Sequence, residues 1–151
     1  MTLKDRIIHI LEENVLDYEV CAHEPVYTNP AMAEALHVTE GETVKSLVLS
    51  TKEGGMIVMV LPGDKKADWK KAAAAAGSRK VTFAKPEAVL ESVGCDVGCV
   101  PPFGHFTPLA VYMDPALTRL AYVYFNPGVH DKSVKIRGRD LESLCDPTYV
   151  D

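Results

Sequence analysis

The stretch TVKSLVLSTKEGGMIVMVLP, residues 43–62, reads as two apolar strands around a turn. The glycines of "TKEGG" accept the positive φ that a tight connection needs, so the segment predicts a β-hairpin. One residue sits oddly in it. Side chains alternate along a strand, so Lys45 shares a face with Leu47 and Leu49, while Val44, Ser46 and Val48 take the other. Two readings follow. The lysine stem can cover the leucines and carry its amine to water, or the cation can stand at a pocket wall to bind a phosphate or carbonyl oxygen.

Working outward, Leu3, Ile7, Ile10 and Leu11 recur at helical spacing and predict an amphipathic helix over 3–14. "YEVCAH" (18–23) alternates as a short strand. "TNPAMAEALHV" starts a helix with Thr28 or Asn29 as N-cap and Pro30 in the first turn, ending near Gly41. After the hairpin, "GDKKADWKKAAAAAG" predicts a helix closed by Gly77, "RKVTFA" a strand, and "KPEAVLESVG" a helix between Pro86 and Gly94. "LAVYMD" and "LAYVYF" flank "PALTR" and read as a second strand pair. "SVKIR" is a strand and "GRDLESLC" a closing helix. Helices interspersed with strands and hairpins give a mixed α/β (α+β) class in one domain over residues 1–151.

At 151 residues the chain can bury one full core. Its 16 basic and 21 acidic residues leave a net charge of −5, which argues against a protein that coats duplex nucleic acid but not against contact with one nucleic-acid end. Basic clusters survive at "DKKADWKK" and "DKSVKIRGR", readable as solvated faces or as binding patches. No apolar run approaches the roughly 20 residues that span a bilayer. The charged N-terminus lacks a signal-peptide core, so the expected compartment is the cytoplasm, with no membrane partner. Of the four cysteines (the others being Cys21 and Cys145), Cys95 and Cys99 are separated by three intervening residues with His105 after them, but no second pair completes a zinc site. The expectation is reduced thiols and no metal.

Three features carry candidate chemistry. Lys45 is the first. The second is "GCVPPFG" (98–104), where prolines remove donors and fix φ while Gly98 and Gly104 allow close approach of a ligand. It can be a binding loop for a carbonyl oxygen or a stiff connection. The third is "NPGVH" (126–130), whose His130 reads as an exposed loop residue or a site residue. No G-x-S-x-G, P-loop or G-x-G-x-x-G is present, so no nucleotide cofactor is implied.

Taken in order, His23 with "TNPAMAEAL", then "ETVKSLVL", "MVLPGD", "SVGCDVGCVPPFG", Asp114 and the glycine of "NPGVH" resemble the YbaK/prolyl-tRNA synthetase-associated domain family, as a free-standing member. The resemblance runs from about Tyr18 to Leu144. It implies a compact domain with a curved central mixed sheet and surrounding helices. It also implies hydrolysis of the ester joining a wrong amino acid to tRNA, typically alanine or cysteine on tRNA(Pro), with no cofactor. The partners implied are the aminoacyl-tRNA 3′ end and, as a second candidate, prolyl-tRNA synthetase; DNA is not among them. The family's lysine falls on Lys45, next to Ser46. Its glycine–proline loop falls on Gly98 to Gly104, with Pro101 and Phe103 inside it. Its late loop falls on Gly128 and His130. The competing readings are a 3′-end binding module without turnover and a regulatory protein that docks on a synthetase.

Overall fold

The Lys45 strand and its hairpin partner form the centre of the molecule in the computed structural model, which describes residues 2–96, 100–102 and 109–150. Strand β2 (Val44–Thr51) pairs antiparallel with β3 (Met56–Pro62) along its whole length, Lys45 opposite Leu61 and Leu49 opposite Ile57. The alternation read from sequence becomes two cores. Leu49, Ile57, Met59 and Leu61 face α3 (Trp69–Ala75), packing on Ala72 and Ala73. Val44, Val48, Val58 and Val60 face the larger core.

That larger core is closed by α1 (Leu3–Glu13), through the fully buried Ile7 and Leu11. Each such side chain contributes about 1.5–3 kcal/mol of transfer free energy. Thr2 and Asp5 form a capping box at the start of α1 and so satisfy its first donors. A three-stranded antiparallel sheet supplies the other side: β1 (Tyr18–Ala22), β7 (Lys132–Arg137) and β6 (Tyr122–Phe125), in the order β1-β7-β6. Its inward residues Val123, Phe125, Val134 and Ile136 are essentially inaccessible.

The five-stranded sheet has the order β4-β2-β3-β5-β8, with β4 at Val81–Phe83, β5 at Ala110–Met113 and β8 at Thr148–Tyr149. Strand β5 runs parallel to β3, so the sheet is mixed. Helix α2 (Asn29–Leu36), α4 (Pro86–Val93) and α5 (Asp140–Cys145) complete the fold. Pro86 opens α4, and Gly94 closes it at a left-handed φ of 86°.

Two expectations are corrected. The strands β5 and β6 are not a pair: β5 joins β3 and β6 joins β7. "PALTR" is a 3-10 helix over Pro115–Arg119, capped by the Asp114 side chain on the Ala116 N–H. That connector carries the chain from one sheet to the other. Helix α2 stops at His37, left-handed at φ 59°, rather than near Gly41, and Gly41 lies in a separate 3-10 turn, Glu40–Glu42. No helix among the described residues is long and apolar enough to cross a membrane.

Candidate active site at an open strand edge

The hydrogen bonds of β2 show which of its backbone groups are spent. Gly63 N–H donates to Thr43 O and Thr51 N–H donates to Gly55 O, so the odd-numbered residues bond toward β3. The even-numbered residues therefore turn their N–H and C=O to the opposite edge. There β4 covers only the far end, pairing Leu49 through Thr51 and donating from Ala84 N–H to Val48 O. At the near end a single bridge joins Thr43 to Tyr124 of β6, and the Asn29 side chain donates to Val44 O at 3.1 Å. Between Val44 and Val48 no strand among the described residues pairs with this edge, and Ser46 sits in that gap with its N–H and C=O facing out of the sheet.

A cavity of about 790 Å³ occupies that gap. Residues from both faces of β2 line it, Lys45 and Leu47 from one and Val44 and Ser46 from the other, so it opens on the strand's edge rather than on a face. Tyr27, Met32, Val100, Asn126, Lys66, Ala67, Trp69 and Phe83 complete much of the rest of its wall. A second recess of about 410 Å³ adjoins it. The two share Tyr27, Ser46, Leu47, Phe83 and Val100, and the recess adds the apolar Val48, Ala84 and Pro86. The Ser46 Oγ is buried and has no hydrogen-bond partner among the described residues. An orphan hydroxyl at the junction of two cavities is a donor and acceptor awaiting a ligand.

Lys45 is half-buried and its amine donates to Lys65 O at 2.8 Å. The turn carrying that carbonyl is itself tied down, because Lys65 Nζ lies 2.9 Å from Asp114 Oδ2. Asp114 is thus doubly engaged, capping the 3-10 helix with one oxygen and holding Lys65 with the other. The opposite corner rests on Asn29. Thr28, not Asn29, caps α2 by accepting from the Ala31 N–H, which leaves the Asn29 amide to bond Thr43 Oγ1 and Val44 O. Gly63 lines the cavity at this knot, where a Cβ would run into Thr43 Oγ1, Glu40 O and Asn29 Nδ2.

The other expected site residues fall as follows. His130 is not in the cavity wall; its ring packs on Tyr27, centroids 4.5 Å apart, and so stands behind a residue that is. Its Nδ1 is 3.1 Å from Val26 O and its Nε2 is 3.3 Å from Asp96 Oδ2, two acceptors that only the charged ring can serve together. Gly128, at φ 89°, lies against Leu3 of α1, where a Cβ would come within 2.7 Å of a methyl group; it seats the loop on that helix. Pro101 is buried, next to the cavity residue Val100. Gly98, Phe103 and Gly104 lie outside the described residues, as do Cys99 and His105. Among the described residues no three His, Cys, Asp or Glu side chains gather as a metal site requires. Burial pushes the Cys145 thiol far above its ordinary range.

Sequence reasoning passed over Tyr27, Trp69 and Phe83. Their signal is exposure: Tyr27 is 66% and Phe83 62% accessible, values that do not register in a sequence. His23, which opens the resemblance, is a tether, its Nε2 2.7 Å from Ser133 Oγ on β7 and its Nδ1 2.7 Å from Glu24 O. That tether runs the segment 23–27 beside β7 and delivers Tyr27 to the cavity.

Among the described residues, an edge cleft with a held cation and an unpartnered hydroxyl makes a site suited to binding a polar group. Residues 23–144 match the aminoacyl-tRNA editing domain, and the chain belongs to that family. It is 32% identical over 149 residues to the multifunctional Ser/Thr-tRNA deacylase ProXp-y of Escherichia coli K12, covering 96% of this chain and 89% of that one. It is 28% identical over 149 residues to the prolyl-tRNA editing protein ProX of Acetoanaerobium sticklandii, covering 95% and 91%. A solved structure described as a candidate trans-editing enzyme for prolyl tRNA synthetase superposes with a TM-score of 0.85 at 28% identity, covering all of this chain and 96% of the other.

Proposed function

We propose that the open edge at Ser46 is where the ester of a misacylated tRNA is hydrolysed. The chain is a trans-editing aminoacyl-tRNA deacylase by its family and by relatives of matching length. The observation that supports this reading is the gap between β4 and β6 among the described residues, which leaves the Ser46 N–H, C=O and hydroxyl facing a cavity beside a positioned lysine.

A cavity of about 790 Å³ accepts a terminal nucleoside with a small aminoacyl group. Lys45 holds the adjacent phosphate, its amine pre-aimed by Lys65 O. The ester carbonyl lies toward the two donors of Ser46, its N–H and its hydroxyl. As water adds to the carbonyl carbon, the oxygen gains charge that these donors stabilise, and the sugar oxygen leaves as its hydroxyl. An aminoacyl ester is intrinsically reactive, so orientation supplies much of the rate. The adjoining recess takes the amino-acid side chain, with Ser46 Oγ at its mouth and His130 fixing Tyr27 behind it. Small side chains fit. The substrate is tRNA(Pro) bearing alanine, cysteine or another small residue, and prolyl-tRNA synthetase is the enzyme whose errors it clears.

The test is a panel of tRNA(Pro) charged with alanine, cysteine, serine, threonine and proline, assayed for ester loss. Small-residue esters should be hydrolysed and the prolyl ester spared, with Lys45→Ala abolishing turnover in a folded protein. Equal hydrolysis of prolyl and alanyl esters would remove the sieve. Full activity in folded Lys45→Ala would remove Lys45 from the site.

A further inference from the structure

Part of the cavity wall is also the wall of a second groove. Trp69, the first residue of α3, and Phe83 of β4 meet edge to face, centroids 5.0 Å apart and planes at 81°. Both line the cavity, and both line a neighbouring groove of about 400 Å³. They are 39% and 62% accessible, so core packing explains little of why two large aromatic rings stand there. Pairing of Phe83 with Leu49 puts its ring on the α3 face, where Trp69 can reach it.

The charge around the pair runs against that of the chain. On a protein of net charge −5 the groove carries Lys70, Arg79 and Lys80 and no carboxylate, and Lys66 stands on the cavity side. Among the described residues none of these four cations makes an ion pair. The nearby acids are engaged: Asp68 accepts from the Lys70 and Lys71 N–H groups, and Glu53 from Ser78 Oγ and the Arg79 N–H. The cavity lining holds one carboxylate among the described residues, Glu40.

We propose that the Trp69–Phe83 ledge, with Lys70, Arg79 and Lys80, is the docking surface for the single-stranded nucleotides that precede the aminoacylated one. The proposal rests on the reading that the cavity holds the tRNA terminus. The strand has to leave the cavity over one of its walls, and this wall pairs ring faces for bases with cations for phosphates. Base–aromatic stacking contributes about 1–3 kcal/mol per base without regard to sequence, and phosphate contacts weaken with salt. A duplex offers no unstacked base to these rings, so the occupant is single-stranded.

Trp69 is the single tryptophan of the chain, so intrinsic fluorescence reports on the ledge directly. Titration with a short single-stranded RNA ending in CCA should quench it, less so at high salt, with weaker binding in Phe83→Ala. Turnover gives a second readout. In the triple variant Lys70→Gln/Arg79→Gln/Lys80→Gln, kcat/KM on aminoacyl-tRNA should fall about 10-fold or more relative to kcat/KM on 3′-O-alanyl-adenosine, which has no preceding nucleotides. Absence of quenching by the RNA, or an unchanged ratio in the folded triple variant, would overturn the proposal. Quenching without hydrolysis of any ester would instead sink the deacylase reading and leave the ledge standing.

Discussion

Replacing Gly63 by alanine puts a methyl group into the tightest point of the site. The new Cβ would overlap Thr43 Oγ1 and approach Glu40 O at 2.7 Å and Asn29 Nδ2 at 2.9 Å. Two of these neighbours cannot retreat cheaply. Glu40 O is backbone, and Thr43 Oγ1 is fully buried, donating to Glu40 O at 2.6 Å and accepting from Asn29 at 3.0 Å. Overpacking of this kind costs about 1–3 kcal/mol, and turning Thr43 away would strand buried polar groups at about 1–3 kcal/mol. A loss of about 3 kcal/mol is therefore expected, or a fall of about 6–12 °C in Tm for a chain this size. Gly77→Ala is the control. Gly77 has a φ of 68° and open space around it, so only the left-handed strain of about 1–2 kcal/mol applies. Urea unfolding at constant m gives both values. A Gly63→Ala protein within 1 kcal/mol of the parent would refute the packing argument.

Three further outcomes are expected. Asp114→Ala removes both the cap on the Ala116 N–H and the anchor of Lys65, costing about 1–2 kcal/mol by urea unfolding and lowering turnover by freeing the carbonyl that aims Lys45; Asp114→Asn should keep most of the stability and still lose turnover, and an Asn variant with full kcat would disprove the positioning role. His130→Ala should change the preference among alanyl, cysteinyl and seryl esters by loosening Tyr27, and an unaltered preference would confine His130 to its bonds with Val26 and Asp96. Cys145, whose thiol burial keeps protonated, should resist iodoacetamide at pH 8 in native protein and react fully in urea; rapid native labelling would contradict the burial.

Local rules settled most of the elements. Period-2 alternation with a Gly-Gly turn made β2 and β3 a hairpin, and Pro86 with Gly94 bracketed α4, because each signal acts within a few residues. The same rules misread "LAVYMD-PALTR-LAYVYF", since two strands five residues apart look like a hairpin whichever sheet each joins. Only the packing of Val111 and Met113 beside β3, and of Val123 and Phe125 over β7, separates them. His37 ended α2 early in a left-handed conformation that its sequence does not announce.

The candidate site divides in the same way. That Lys45 and Ser46 look to opposite faces of one strand was determined by sequence, because alternation is a property of any extended chain. That Ser46 faces an edge unpaired among the described residues was not, because it depends on β4 pairing no further than Leu49 and β6 bridging at Thr43, partners distant along the chain. Gly128 shows the converse: a glycine placed in the site by resemblance stands against Leu3, and its freedom at positive φ serves the seating of a helix. Residue types and strand parity are written locally, whereas an open edge is defined by the strands that fail to cover it, and that is decided only when the whole sheet assembles.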